Sequence, residues 1–369
     1  MEPLCTEELK GNADVVEFCN IPPYLNLLVA ASYTLQEGPV PIRVGGLHVF
    51  SVERKDENHA AVRLQELQVI ETSGVFDIKW RGSSSDLGLL PCLGQASADG
   101  SLRLYSLQEG SGVEKALLQE RVNIAVSSSM CLSLDWCPMG AKDQIALSHS
   151  DGLISVVDVG QAKTGVILSA EVHEFETWTT SYDSWDPELL YSGADDSHFC
   201  AWDLRQGFDS PVFRNRKAHR MGICSIQSNP QVENALITGS YDENIRLWDK
   251  RMMQSPVMRF ELGLGGGVWR LKWHPFDQGL ILAACMHNGF AVIRADGHDM
   301  QVIESYNRHA SLAYGADWYK GQWGESDDEA AHQASDYGGT MRSLVATCSF
   351  YDKALHVWEP ATRACNKRK

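Results

Sequence analysis

Short apolar or alternating stretches run the length of the chain, divided by polar turns rich in Gly, Asp, Asn or Pro. The pattern is clearest from His219 to Asp249, HRMGICSIQSNPQVENALITGSYDENIRLWD. Here it predicts strands at Ile223–Ser228, Ala235–Gly239 and Ile245–Trp248. Asn229-Pro230 breaks the first from the second, and the Asp-Glu-Asn turn breaks the second from the third.

The same unit recurs. The turn acid stands six residues before a strand end in ASADGSLRLY (Asp99), SHSDGLISVV (Asp151), GADDSHFCAW (Asp196), GSYDENIRLW (Asp242) and SFYDKALHVW (Asp352). CMHNGFAVI carries His287 at that position. Anchors from Asp99 to His287 lie about 45 residues apart, the period of a four-stranded propeller blade. Upstream of each anchor a strand ends in Trp or its equivalent, as in FDIKW, LSLDWCP, WRLKWHP and YGADWYKG. Counting VEFCNIPP, TSYDSWDP and CSIQSNP, seven such starts imply seven blades. A His, a turn Asp and a closing Trp-Asp are the WD-repeat signature, so the expected fold is an all-β, seven-bladed WD-repeat propeller occupying residues 1–369 as one domain.

Both ends bear on closure. The seventh blade finishes at LHVWEP, and the basic tail at 361–369 is a poor fourth strand. Residues 1–10 are therefore expected to close that blade, which would remove an exposed sheet edge. In the first blade LLVAASYT (27–34) and GGLHVFSV (45–52) are expected strands separated by a longer loop, QEGPVPIRV. The stretch 319–340 is an insert, acidic and poor in apolar residues, and is expected to be a disordered loop.

Composition narrows the function classes. A formal charge of −16 and a pI near 5.2 argue against a nucleic-acid binder, which would show a basic patch, and against docking on anionic membrane. Ten cysteines without framework spacing fit reduced core thiols in a cytoplasmic protein. The N-terminus shows no secretory pattern, and no apolar run is long enough for a membrane span. GxSxG, HExxH, Walker and dinucleotide motifs are absent, so no metal or cofactor is expected.

Candidate chemistry gathers at one end of the propeller. His219, Thr238, Asp242 and Trp248 can form a hydrogen-bonded stack, as can His173, Ser192, Asp196 and Trp202, and both sets read as framework. His287 departs from the rule, since an imidazole cannot accept as a carboxylate does and exchanges protons near neutrality. It is either drift in an irregular blade or a reactive group, with Cys285 two residues back. Loops entering the first strands add Glu174, Trp178, Arg220, Trp269, Tyr314 and Asp317, together with the run Gly265-Gly266-Gly267. Aromatic rings interleaved with acids around a pore can hold a quaternary ammonium. The glycines would let backbone approach a ligand closely.

HRMGICSIQSNP, TGSYDENIRLWD, GGVWRLKWHPF, LILAACMHNGF, YGADW and CSFYDKALHVWE resemble the WD-repeat family of diphthamide biosynthesis. Its members are known as diphthine methyl ester hydrolases and also as diphthine methyltransferases. The likeness is strong over about 170–360 and weaker over 14–170. It implies hydrolysis of the methyl ester of diphthine methyl ester on elongation factor 2, a substrate that also carries a trimethylammonium group. No methyl-donor site is apparent, which disfavours the transferase label.

Ester cleavage needs an activated water or nucleophile and donors for the developing oxyanion. The expected assignment is His287 as general base, Cys285 or water as nucleophile, and Asp242 or Asp317 orienting the imidazole. Trp269 and Glu174 would receive the cation, with Trp178, Arg220 and Tyr314 as further substrate contacts. His219 is the alternative base. The competing class is a non-enzymatic scaffold of a ubiquitin-ligase or trafficking assembly. The expected protein is a monomer whose partner is elongation factor 2.

Overall fold

The computed structural model describes residues 1–54, 62–82, 91–108, 117–138, 141–160, 164–252, 254–323 and 340–365. Among these the chain forms seven four-stranded sheets and one two-stranded ribbon, with no helix long and apolar enough to cross a membrane. Each sheet is antiparallel and runs in chain order from an inner to an outer strand; only the seventh breaks this order. The inner strands are Asn12–Phe18, Val75–Trp80, Cys131–Trp136, Thr179–Tyr182, Ile223–Ser228, Arg270–Trp273 and Ala313–Trp318. Each packs on the next, and Asn12–Phe18 touches both Val75–Trp80 and Ala313–Trp318, closing the ring. The expected seven-bladed propeller is the fold.

Burial explains the two apolar patterns. Second strands such as Leu280–Ala284 and Val345–Ser349 are covered on both faces by neighbouring blades and read as continuous apolar runs. Outer strands such as Leu118–Ala125 alternate, because one face meets solvent. The core therefore lies between blades. One cluster joins Ala146 and Ile154 of the third sheet to Tyr182, Leu190 and Trp202 of the fourth. Another joins Val16, Phe18 and Leu28 of the first to Ala346, Leu355 and Val357 of the seventh.

The WD framework forms as the sequence suggests, with one difference. In the fourth sheet His173 Nδ1 lies 3.0 Å from Asp196 and its Nε2 lies 2.8 Å from Ser192 Oγ, which also accepts from Trp202 Nε1 at 2.8 Å. In the fifth, Thr238 Oγ1 joins His219 and Trp248, but Arg246 stands between His219 and Asp242. Burial and the Arg246 charge push the His219 imidazole down to about 3, so it stays neutral.

The long loop expected at 36–44 is instead a short turn. Strands Leu27–Gln36 and Ile42–Arg54 pair from Leu27↔Ser51 to Gln36↔Ile42, because the β-branched residues of QEGPVPIRV continue the ladder. Most of the insert expected at 319–340 lies outside the described residues, as does the end of the tail. Thr340–Met341 pairs with Ala364–Cys365 as the separate ribbon.

Cys5–Glu8 pairs antiparallel with Ala354–Trp358, from Cys5↔Val357 to Glu8↔Ala354. The N-terminal segment is thus the outer strand of the seventh sheet, and Leu9 is buried against Leu355 and Val357. Deleting residues 1–9 exposes that edge and this apolar contact. The thermal midpoint should fall by several degrees, at about 2–4 °C per kcal/mol for a large domain; an unchanged midpoint would show that the pairing adds no stability.

Candidate functional site at the channel mouth

Each inner strand is paired along one edge only, and its other edge runs down the central channel. Aligning the seven on their last residues, Phe18, Trp80, Trp136, Tyr182, Ser228, Trp273 and Trp318, sorts the channel side chains into tiers. One residue back stand Glu17, Lys79, Asp135, Ser181, Gln227, Lys272 and Asp317. Three back stand Val15, Asp77, Ser133, Thr179, Ser225, Arg270 and Gly315. Four back stand Asp14, Phe76, Leu132, Trp178, Cys224, Trp269 and Tyr314. The fourth position would ordinarily point between blades. The register shifts at Asp14, Phe76, Leu132, Cys224 and Tyr314, and a bulge residue of this kind re-aims its side chain.

The acids and serines of the two deeper tiers are occupied. Asp77 accepts Leu134 N–H at 3.1 Å and Arg270 Nη1 at 2.7 Å. Asp135 accepts Tyr182 N–H at 2.8 Å and Lys79 Nζ at 2.9 Å. Asp317 accepts Phe18 N–H at 2.8 Å and Lys320 Nζ at 2.6 Å, and Glu17 binds Lys272. Ser133 and Ser225 accept Thr180 N–H and Leu271 N–H at 3.0 and 3.1 Å. Backbone groups left free by the sheets are thus capped by neighbouring blades.

The upper tier differs. Trp178, Tyr241, Trp269 and Tyr314 are half-buried and touch: Trp178 and Trp269 at 5.6 Å between centroids, Tyr241 and Trp269 at 5.9 Å, Trp269 and Tyr314 stacked at 4.8 Å. Phe350 continues the row from Tyr314 to Tyr33, and Tyr33 meets Phe76 at 4.7 Å. Of these rings Phe76, Trp178 and Trp269 line a small cavity of about 40 Å³, which Asp77, Ser133, Ser225 and Arg270 also border. Trp269 Nε1 and Arg270 Nε have no hydrogen-bond partner among the described residues.

Asp14 belongs to this tier and is 1 % exposed, with neither carboxylate oxygen hydrogen-bonded among the described residues. Burial raises its pKa to about 8, opposed by the Arg270 charge and assisted by that of Asp77. Its charge is also felt by Tyr33, Tyr241 and Tyr314. A carboxyl so placed is protonated at neutral pH and sensitive to any cation that approaches.

The expected site is only partly assembled. Trp178, Trp269 and Tyr314 come together at the mouth. Glu174 and Arg220 are exposed on their loops, and each donates its backbone N–H to a framework acid, Asp196 and Asp242 respectively. His287 is exposed in its turn without a hydrogen-bond or ion-pair partner among the described residues. Asp242 does not orient it: although burial opposes ionisation, bonds from Arg246, Arg220 N–H and Asn244 N–H hold that carboxyl at about 2. Asp317 does not orient it either, being bound to Phe18 and Lys320. Cys285 is 1 % exposed and burial pushes its thiol up to about 12, so it supplies no thiolate at neutral pH. The glycine run serves the blade itself: a Cβ on Gly266 would lie 2.1 Å from Cys285 O, and one on Gly267 would lie 2.7 Å from Met286 Sδ.

Asp14 and Tyr241 were not singled out from the sequence. Tyr241 sits inside the signature GSYDEN, where the adjacent Asp242 draws attention. Asp14 becomes visible once the inner strands are aligned, as the one acid in a tier of apolar and aromatic residues. His173, Asp196 and His198 are close enough to share a metal, but His173 and Asp196 already satisfy each other in the framework.

The seven sheets and their His–Ser/Thr–Trp stacks define a WD-repeat β-propeller with an aromatic channel mouth. Residues 211–249 match the family described as WD domain, G-beta repeat. A chain of a mitotic checkpoint complex superposes with a TM-score of 0.66 at 18% identity, covering 98% of this chain and 92% of that one. The particular family follows from sequence relatives. Diphthine methyltransferase of Homo sapiens is 32% identical over 96% of this chain and 98% of its own length. The Mus musculus protein of that name is 38% identical over 83% and 67%. The Dictyostelium discoideum homologue is 31% identical over 96% and 98%. The chain belongs to the diphthine methyltransferase family.

Asp14 also makes a stability prediction. Its carboxyl ionises near 4 when unfolded and near 8 when folded, so the folded state binds the extra proton between those values and stability is lost as pH rises through them. Asp14→Asn removes the titration. Thermal unfolding should show the variant more stable than the parent at pH 8, with the gap closing toward pH 4. A gap independent of pH would rule out a buried, strained carboxyl.

Proposed function

We propose that this protein hydrolyses the methyl ester of diphthine methyl ester on elongation factor 2, releasing methanol and leaving diphthine. One observation carries the reading: the converging, half-buried rings of Trp178, Tyr241, Trp269 and Tyr314 at the channel mouth. Such rings attract a quaternary ammonium through their negative faces, best from Trp and within about 6 Å of the centroid. The substrate side chain implied by the family resemblance carries a trimethylammonium beside its ester. A cation seated on the rim would hold the ester over the polar tier beneath.

That tier offers the chemistry. Arg270, ion-paired to Asp77 through Nη1, keeps its Nε–H without a partner among the described residues. A fixed, desolvated donor of this kind stabilises charge developing on an ester oxygen. Water is the nucleophile in this reading, since the Cys285 thiol is buried and protonated. Hydrolysis needs no methyl donor, whereas the transferase name borne by the relatives does.

The test uses purified full-length protein and elongation factor 2 carrying diphthine methyl ester. Methanol should be released without S-adenosylmethionine and at an unchanged rate with it. Trp269→Ala should raise KM with a smaller effect on kcat, as expected when substrate binding is lost. Arg270→Met should lower kcat by about 10²–10³-fold, the usual cost of one oxyanion donor. His287→Ala should stay within about threefold of the parent, against the 10²–10⁴-fold loss of a general base. Strict dependence on S-adenosylmethionine, or no methanol at all, would sink the reading.

A further inference from the structure

The carboxylates of the channel have distinct employments. Glu17, Asp77, Asp135 and Asp317 each bind a Lys or Arg, and three of them also cap a neighbouring backbone N–H. Asp14 does neither: both its oxygens are buried without a hydrogen bond among the described residues. It shares the upper tier with Trp178, Trp269 and Tyr314, held there by the bulge between Ala13 and Val15. An unpaired buried carboxyl is costly to retain, so a residue in this state marks a place where a missing partner is to be supplied.

We propose that Asp14 is the specificity-determining residue of the mouth, the counter-ion that makes the site select a quaternary ammonium over a neutral group of the same shape. The proposal deepens the proposed function and rests on it for the identity of the cation. The rings alone discriminate weakly, because apolar contact rewards a tert-butyl group nearly as well as a trimethylammonium. A carboxylate beside them adds the charge term, strengthened by the burial of Asp14. A trimethylammonium also has no N–H to donate, which suits an acid whose surroundings offer charge and ring faces rather than hydrogen bonds.

Binding is then linked to a proton. In the empty site Asp14 is held protonated by burial, with Arg270 favouring ionisation and Asp77 opposing it. Tyr33, Tyr241, Tyr314 and Cys348 are the other titratable groups within its field, and burial keeps all four neutral at physiological pH. A cation arriving at the rim ionises Asp14, whose O–H bond breaks and whose proton leaves to solvent. Charge is conserved, with one cation bound and one proton released.

The experiment is calorimetric titration of the full chain with tetramethylammonium chloride from pH 6 to 9, against sodium chloride of equal ionic strength. Affinity should rise about tenfold per pH unit below pH 8 and level off above it. At pH 7, buffers of different ionisation heat should report close to one proton released per cation. Asp14→Asn should weaken binding at least about tenfold at pH 8 and flatten the pH dependence. Trp269→Ala should weaken binding at every pH and keep the slope.

Equal affinity and slope in Asp14→Asn would overturn the counter-ion role while leaving the aromatic rim and ester hydrolysis standing. No heat of binding up to about 10 mM at pH 9, an affinity weaker than about 3 kcal/mol, would overturn it as well. Methanol release is measured separately, so failure of the hydrolytic reading would be seen there instead. Thermal unfolding of Asp14→Asn, expected to be more stable than the parent at pH 8, shows that a loss of binding is not a loss of fold.

Discussion

The inner strands of this propeller have one edge that no strand pairs. Seven such edges face the central channel, and each carries backbone N–H groups that must find acceptors away from bulk water. The solution is reciprocal: Asp77, Ser133, Asp135, Ser225 and Asp317 each accept an N–H of the adjoining blade. Arg270, Lys79, Lys272 and Lys320 then neutralise the acids. The blades are thus joined twice, by apolar clusters between their faces and by this polar collar along the axis. Acids in the collar are occupied and unavailable for chemistry.

That constraint isolates the site. Above the collar five inner strands bulge, which re-aims Asp14, Phe76 and Tyr314 toward the mouth, while Trp178 and Trp269 stand just ahead of their strands. Nothing in the sheet ladder requires Asp14, and its burial without a hydrogen-bond partner among the described residues opposes folding at neutral pH. Residues that weaken a fold without evident structural return are characteristic of functional positions. The same contrast explains why His219 and Asp242 are poor candidates for chemistry. Both are locked by Arg246 and Thr238, and the framework they form holds the Tyr241 turn beside Trp178 and Trp269.

The architecture was legible because its cause is local and repeated: turn acids six residues before a strand end recur in almost every blade. Trp178, Trp269 and Tyr314 were legible for the same reason, as aromatics at or just ahead of strand starts. His287 drew attention as a break in the repeat, but Asn288 anchors that turn through Leu264 O and leaves the imidazole outside in solvent. Cys285 looked reactive beside it until the strand's two-sided burial was known. Asp14 was hidden because its significance lies in contacts it lacks, and a missing partner has no sequence signal. The capping role of Asp317 was hidden in the opposite sense, since Phe18, its backbone partner, lies 299 positions away in the chain.

The central claim is that the aromatic mouth, rather than the outer turns, receives the cationic ester. The most direct measurement is the structure of the complex with a small methyl ester carrying a trimethylammonium group, such as N,N,N-trimethylglycine methyl ester. The cation should lie against Trp178, Tyr241, Trp269 and Tyr314 on the side of Asp14, with the ester oxygen toward Arg270. A ligand bound instead beside His287, or on the outer strands with the mouth empty, would contradict the account.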